Sequence, residues 1–204
     1  MKLHSVGTSL ITLSLLLVAT VAEAAAPSVG NVSRIAGDQS ASAQAQGTAE
    51  RKLAAGDPVY TAERIRTGVS TVLVIEFTDK SRFTLGPNTE FEVEQYRQGA
   101  GNEAFHSRVF KGAFRFVSGL IARGKDSMRV HAPVVTVGVR GTHVEAEVNE
   151  RQQKDGKTVD ASAKVVLLEP EGPNKNTAIV AENKFGSVVI DKPGYGTVIP
   201  DEKS

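Results

Sequence analysis

The sequence predicts an all-β fold, either a sandwich or a coiled, solenoid-like stack of short strands, on three observations. Nearly every ordered-looking segment is short, rich in Val, Ile, Thr and Phe, and bounded by Gly, Pro, Asn or Asp, which is how strands read. Several segments alternate apolar and polar residues with a period of two, leaving one dry face and one wet face. Helical periodicity is hard to find, and no repeat of fixed length emerges, which argues against a regular β-helix.

At the N-terminus, Lys2 supplies a small positive charge, Leu10 to Val21 an apolar run, and Ala22-Glu23-Ala24 a small-x-small site. That is the order of a secretory signal peptide, so residues 1–24 are expected to be removed after Ala24. The run is shorter than the roughly 20 residues a spanning helix needs, and nothing later is apolar enough to cross a membrane. Residues 25–61 read as N-terminal strands around a polar stretch. In that stretch, Gly37 to Gly47, the small polar side chains offer too little apolar area to offset ordering entropy, which predicts a mobile loop.

Thr71, Leu73, Ile75 and Phe77 alternate with Val72, Val74 and Glu76, a nearly continuous apolar strand expected to be covered on both faces. Thr78-Asp79-Lys80-Ser81 then turns the chain into Arg82 to Leu85, making a hairpin. Phe91 and Val93 oppose Glu90, Glu92 and Glu94, a like-charged stripe that reads as a solvated face. Gln98 to Glu103 connects this strand to Phe105 through Phe110, again as a hairpin. Val144, Ala146 and Val148 point inward, with His143, Glu145 and Glu147 facing solvent. Further strands are expected at Ser127–Val130, Val134–Val139, Lys164–Leu168, Ala178–Ala181 and Gly186–Ile190. Asn149 to Gly156 reads as a charged tip, Glu169 to Asn176 as a turn-rich connection, and Asp191 to Ser204 as a tail without a helix. Phe77, Phe110, Phe114 and Phe116 are assigned to the interior.

Two segments, Gly112-Ala113-Phe114-Arg115-Phe116-Val117-Ser118-Gly119 and Val137-Gly138-Val139-Arg140-Gly141-Thr142, stand out. They follow Arg66-Thr67-Gly68, the 72–77 strand, Asp79 and Leu85-Gly86-Pro87-Asn88-Thr89. In that order they resemble the FecR-domain family of bacterial envelope proteins, over roughly Ala62 to Glu150. The resemblance implies a mainly β domain of two twisted antiparallel sheets at 62–150, followed by a C-terminal β extension and tail at 151–204. It also implies a place in envelope signalling, best known for regulating sigma factors in response to iron-chelate uptake, and a periplasmic or secreted location in a Gram-negative envelope. A complete regulator of this family carries a cytoplasmic sigma-factor-binding segment and a membrane helix. Only Met1 to Leu10 precede the export signal here, so the message is expected to pass through another envelope protein.

Gly138 and Gly141 do not announce a phosphate loop, because strand residues follow them where a helix N-terminus would be needed. They read as a bulge or a close backbone crossing, and Gly112, Gly119, Gly138, Gly141 and Thr142 form the structural motif. Arg115 and Arg140 are the candidate binding residues, since a planar guanidinium fixes carboxylates or carbonyls by several hydrogen bonds. Either could equally be a buried strut. His143, Glu145 and Glu147 have ligand chemistry, but same-face neighbours on one strand diverge, and a closed site would need His131 or His106 as well. No metal site and no cofactor are expected.

No nucleophile elbow or helical zinc motif occurs, so no catalytic residue is assigned and no enzymatic activity is expected. The 24 Lys and Arg are interleaved with 23 Asp and Glu, and aromatic content is 5%, a poor match to nucleic acid. The sequence contains no cysteine, which removes disulfides, lipid attachment through cysteine and thiolate metal sites. The expected function is a protein-binding or signalling module whose partner is another envelope protein. The alternative is a structural or adhesive envelope component.

Overall fold

The computed structural model describes residues 27–99, 101–123, 127–152, 159–169 and 177–201. The expected signal peptide, residues 153–156 of the expected charged tip and the 170–176 connection lie outside the described residues, whereas residues 149–152 continue a strand instead of forming that tip.

The first strands are β1 (Gly30–Ala36), β2 (Ala41–Ala45), β3 (Arg51–Lys52), β4 (Pro58–Val59), β5 (Glu63–Thr67) and β6 (Val72–Phe77). Then come β7 (Arg82–Leu85), β8 (Glu90–Arg97) and β9 (Ala104–Val117), followed by a single 3₁₀ turn at Ile121–Arg123. The chain continues through β10 (Met128–Ala132), β11 (Val135–Arg140), β12 (His143–Gln152) and β13 (Val159–Leu168). It ends with β14 (Ala178–Asn183), β15 (Gly186–Ile190) and β16 (Gly196–Ile199). The fold is all-β, and no described helix is long and apolar enough to cross a membrane.

Hydrogen bonding arranges these strands in two sheets that share one strand. The first sheet runs β4-β1-β6-β7-β9-β12-β13-β16, and the second runs β3-β2-β5-β8-β9-β10-β11-β14-β15. The N-terminal part of β9 pairs with β8 and β10, while its C-terminal part, from Gly112 on, pairs with β7 and β12. Gly112 makes the switch possible: its φ is +99°, and a Cβ there would overlap Thr89. Every pairing is antiparallel except β9 with β10, which departs from the wholly antiparallel sheets expected. The chain between them passes through the 3₁₀ turn, so the two strands enter their ladder from the same end.

The inner faces meet in one apolar core. Phe83 lies 4.8 Å from Phe91 and Phe77 lies 4.6 Å from Phe105, ring centroid to centroid, so the first sheet's aromatic residues pack directly on the second's. The 72–77 strand is buried on one face only: Leu73, Ile75 and Phe77 are inside, whereas Val72, Val74 and Glu76 remain half-exposed. Phe110 is outside the core. It sits on the second sheet's outer face with the Arg64 guanidinium 3.4 Å from its ring centroid.

The polar stretch from Gly37 to Gly47 contains strand β2 rather than a loop. Its Ala41 and Ala43 are buried, and its backbone pairs with β5 from Ala41↔Thr67 to Ala45↔Glu63. Pairing compensates for the small side chains: inner-facing alanines let the neighbouring strands close over β2 without needing large apolar groups there. The tail likewise contains a strand, β16, paired with β13.

Candidate functional site

The family-like residues converge on a buried turn. Asp79, fully buried at the end of the β6–β7 hairpin, accepts hydrogen bonds at Oδ1 from the Ser81 amide (3.1 Å), the Ser81 hydroxyl (2.6 Å) and the Tyr96 hydroxyl (3.1 Å). Its Oδ2 accepts from the Ile121 amide at 3.2 Å, and its carbonyl accepts from the Leu120 amide at 2.9 Å. Burial, with the Asp79 charge adding to it, pushes the Tyr96 hydroxyl up to about 12, so Tyr96 stays a donor throughout the physiological range. Gly119 closes against this turn, and a Cβ there would collide with the Asp79 and Ser81 backbone. One carboxylate thus ties a hairpin, a strand and the 3₁₀ turn together.

The 138–142 segment lies where the chain crosses from the second sheet to the first, between β11 and β12. Gly141 has φ +58°, and its amide donates to the Ala122 carbonyl at 3.1 Å. Thr142 is buried, and its carbonyl accepts from the Ser118 amide at 3.1 Å. Gly138 is different: a Cβ there would meet only Val180, at 3.8 Å or more, which is ordinary contact. Nothing in its surroundings demands glycine.

His143 does not face solvent. At 6% exposure it is buried just past the crossover, whereas Glu145 and Glu147 further along the strand are exposed. His106 and His131 lie elsewhere, on the second sheet's outer face, with ring centroids 6.0 Å apart. Among the described residues no cluster of three or more metal-ligating side chains is formed.

The two outer faces differ in what their charges do. On the second sheet they are paired. Arg64 reaches Glu90 at 2.7 Å and Glu92 at 3.3 Å, Arg66 reaches Glu90 at 3.4 Å, and Arg129 reaches Glu182 at 3.0 Å. Glu94 accepts from Arg108 at 2.5 Å and faces the Nδ1 of His131 at 2.6 Å. Burial opposes ionisation of Glu94, but these two partners outweigh it and hold its carboxyl below the usual range. The glutamate stripe of β8 is therefore neutralised by its neighbours rather than simply solvated.

On the first sheet Arg115 faces Glu145 on one side and Thr84 on the other, and Glu147 faces Lys164. Among the described residues none of Arg115, Glu145, Glu147 and Lys164 closes a hydrogen bond or ion pair. These side chains border a groove of about 290 Å³ that takes in Val72, Thr84 and Val166. At Val72 and Thr84 it adjoins a second hollow of about 500 Å³, flanked by Ser33, Val74 and Arg82. Arg140, by contrast, is exposed at the end of β11 on the other sheet. The two candidate arginines stand on strands of different sheets. Residue identity alone could not reveal this, because the face of each depends on which sheet its strand joins.

Comparison with known proteins gives a consistent picture. The chain is 27% identical over 156 residues to an uncharacterized protein of Treponema pallidum (strain Nichols), an alignment covering 74% of this chain and 22% of that relative. The chain therefore spans about a fifth of the relative it matches. No solved structure matches the chain. The model of the FecR protein family matches residues 63–166, from the start of β5 into β13 and so across the Asp79 turn, the strand switch and the crossover, and the chain belongs to the FecR family.

Proposed function

We propose that this chain is an exported, non-enzymatic envelope module that binds another envelope protein through the outer face of its first sheet and takes part in signalling. FecR-family membership supports the signalling role and the envelope setting, and the signal-peptide pattern at residues 1–24 supports periplasmic export. The observation that carries the binding face is the groove beside Arg115. Among the described residues its charged rim of Arg115, Glu145, Glu147 and Lys164 has no ion-pair partner, and it surrounds a partly apolar floor. Groups in that state have hydrogen bonds to give and apolar area to cover without first breaking internal contacts. The second sheet's outer face would have to surrender its ion pairs to do the same.

A partner suited to this groove carries both signs of charge around an apolar contact. Arg115→Glu is expected to abolish recovery of that partner by cross-linking in intact envelopes, with circular dichroism and melting unchanged. Retained recovery with the folded signature intact would refute the assignment.

A further inference from the structure

The two ends of the sandwich are finished differently. At one end the outermost strands, β3 and β4, are two residues each, carry Arg51, Lys52 and Pro58, and are stitched together by the chain between them. The Leu53 amide donates to Ala41 at 2.9 Å, the Val32 amide to Asp57 at 2.9 Å and the Gly56 amide to Val32 at 2.8 Å, with Leu53 and Val59 buried beneath. Short, charged or proline-bearing edges closed in this way resist further strand pairing.

At the other end the described outermost strands carry neither charge nor proline. They are β15 and β16, which do not pair with each other. β15, Gly186-Ser187-Val188-Val189-Ile190, contains no charge, no proline and no bulge. Of the seven exposed large apolar side chains among the described residues, Phe185, Val188, Val189, Tyr195 and Val198 gather here. Between the two edges an open slot of about 260 Å³ leads inward past Val188 and Thr197 to Ala181 and Val135. One edge of β15 is occupied by β14; the other presents its backbone groups to no strand among the described residues.

We propose that β15 pairs antiparallel with β15 of a second copy of this chain, joining the two second sheets into one across a twofold axis. The charge pattern selects this occupant. A strand with no charged group offers nothing to recruit an acidic or basic segment, while two identical neutral strands meet with no like charges opposed. The same patch serves both copies, as a twofold contact requires, and a register centred on Val188 overlaps the full strand. In that register Ser187 lies across from Val189 of the partner subunit, on the outer face, where Val189 is 62% exposed in the single chain. The first sheet's groove is left uncovered, so this pairing and the binding face proposed above stand or fall separately.

The test is sedimentation equilibrium of the exported chain from micromolar to near-millimolar concentration, for wild type, Val189→Lys and Arg115→Glu, together with amide exchange of wild type over the same range. A dimer is expected for wild type and Arg115→Glu, and dissociation stronger by roughly tenfold or more for Val189→Lys, whose charge lies across from Ser187 of the partner subunit at the strand edge. Alternate amides of β15 should exchange roughly tenfold more slowly at high concentration than at low. A wild type that stays monomeric throughout, or a dimer whose β15 amides exchange as in the monomer, would overturn the pairing. Should Val189→Lys fail to fold, the exchange measurement decides alone.

Discussion

The outer faces of the two sheets are built from similar residues and reach opposite states. Both carry arginine and glutamate on half-wet strands, yet the second sheet closes its charges into a ladder from Arg66 through Glu90, Arg64 and Glu92, and again through Arg108, Glu94 and His131. The first leaves Arg115, Glu145, Glu147 and Lys164 open around a groove. Spacing across strands decides the outcome. On the second sheet β5 and β8 put Arg64 directly opposite Glu92 and next to Glu90, and Arg64 is braced on Phe110. On the first, Arg115 and Glu145 are opposite in register but do not close to hydrogen-bonding distance. A satisfied face contributes a little to stability, and an unsatisfied one is available for association.

The largest expected effect lies beneath both faces. Asp79→Ala would leave Ser81, the Tyr96 hydroxyl and the Ile121 amide without their buried acceptor, a loss of about 3 kcal/mol or more by chemical denaturation. If the contrast between faces rests on a common scaffold, this variant should damage both together. Gly112→Val should cost about 2 to 3 kcal/mol, because the positive φ and the Thr89 contact exclude a β-branched residue where β9 changes sheets. A Gly112→Val midpoint equal to wild type would mean that the switch is not anchored there.

A matched pair sharpens the contrast itself. Arg64→Ala removes two carboxylate contacts and the stack on Phe110, and should lower stability by about 1 kcal/mol. Arg115→Ala should change stability by no more than about 0.5 kcal/mol, since no hydrogen bond or ion pair among the described residues depends on its guanidinium. Equal losses for both would erase the distinction between the faces.

The smallest effect is the pH response of the second sheet. Burial, then the neighbouring His131 and Arg129 charges, hold His106 below its ordinary value, so the unfolded chain binds its proton more readily than the folded one. The stability this provides is present above the unfolded histidine pKa and is lost as pH falls through the folded value. Glu94, also held low, adds stability above the unfolded glutamate value that disappears on further acidification. Melting temperature should therefore decline from neutral pH toward pH about 4, with the His106→Gln variant losing the upper part of that decline. A flat profile would remove the ladder's contribution.

Much of this architecture was legible from period and punctuation. The β6–β7 and β8–β9 hairpins, the strands at 128–132, 135–140, 178–183 and 186–190, and the family likeness all follow from local pattern. β2 was not legible as a strand, because Ala-Ser-Ala-Gln-Ala has weak strand propensity and is held by pairing with β5, a contact between segments far apart in sequence. The alternation of alanine with polar residues was the available signal. His143 misleads for a related reason: its period marks it as outward, but its position beside the crossover buries it. Asp79 was visible as part of the family series, yet its role as a shared acceptor depends on Tyr96 and Ile121, brought to it only by the fold. That Arg115 and Arg140 stand on different sheets is hidden in the sequence for the same reason, because sheet membership is a tertiary property.

The most direct test of the binding face places one photo-reactive side chain at Thr84, in the first sheet's groove, and another at Glu92, in the second sheet's ladder, and irradiates intact envelopes producing each variant. A specific protein adduct from the Thr84 position, absent from the Glu92 position and lost when Arg115→Glu is added, is the predicted result. The same adduct from both positions, or one from Glu92 alone, would contradict the assignment of the open face as the site of association.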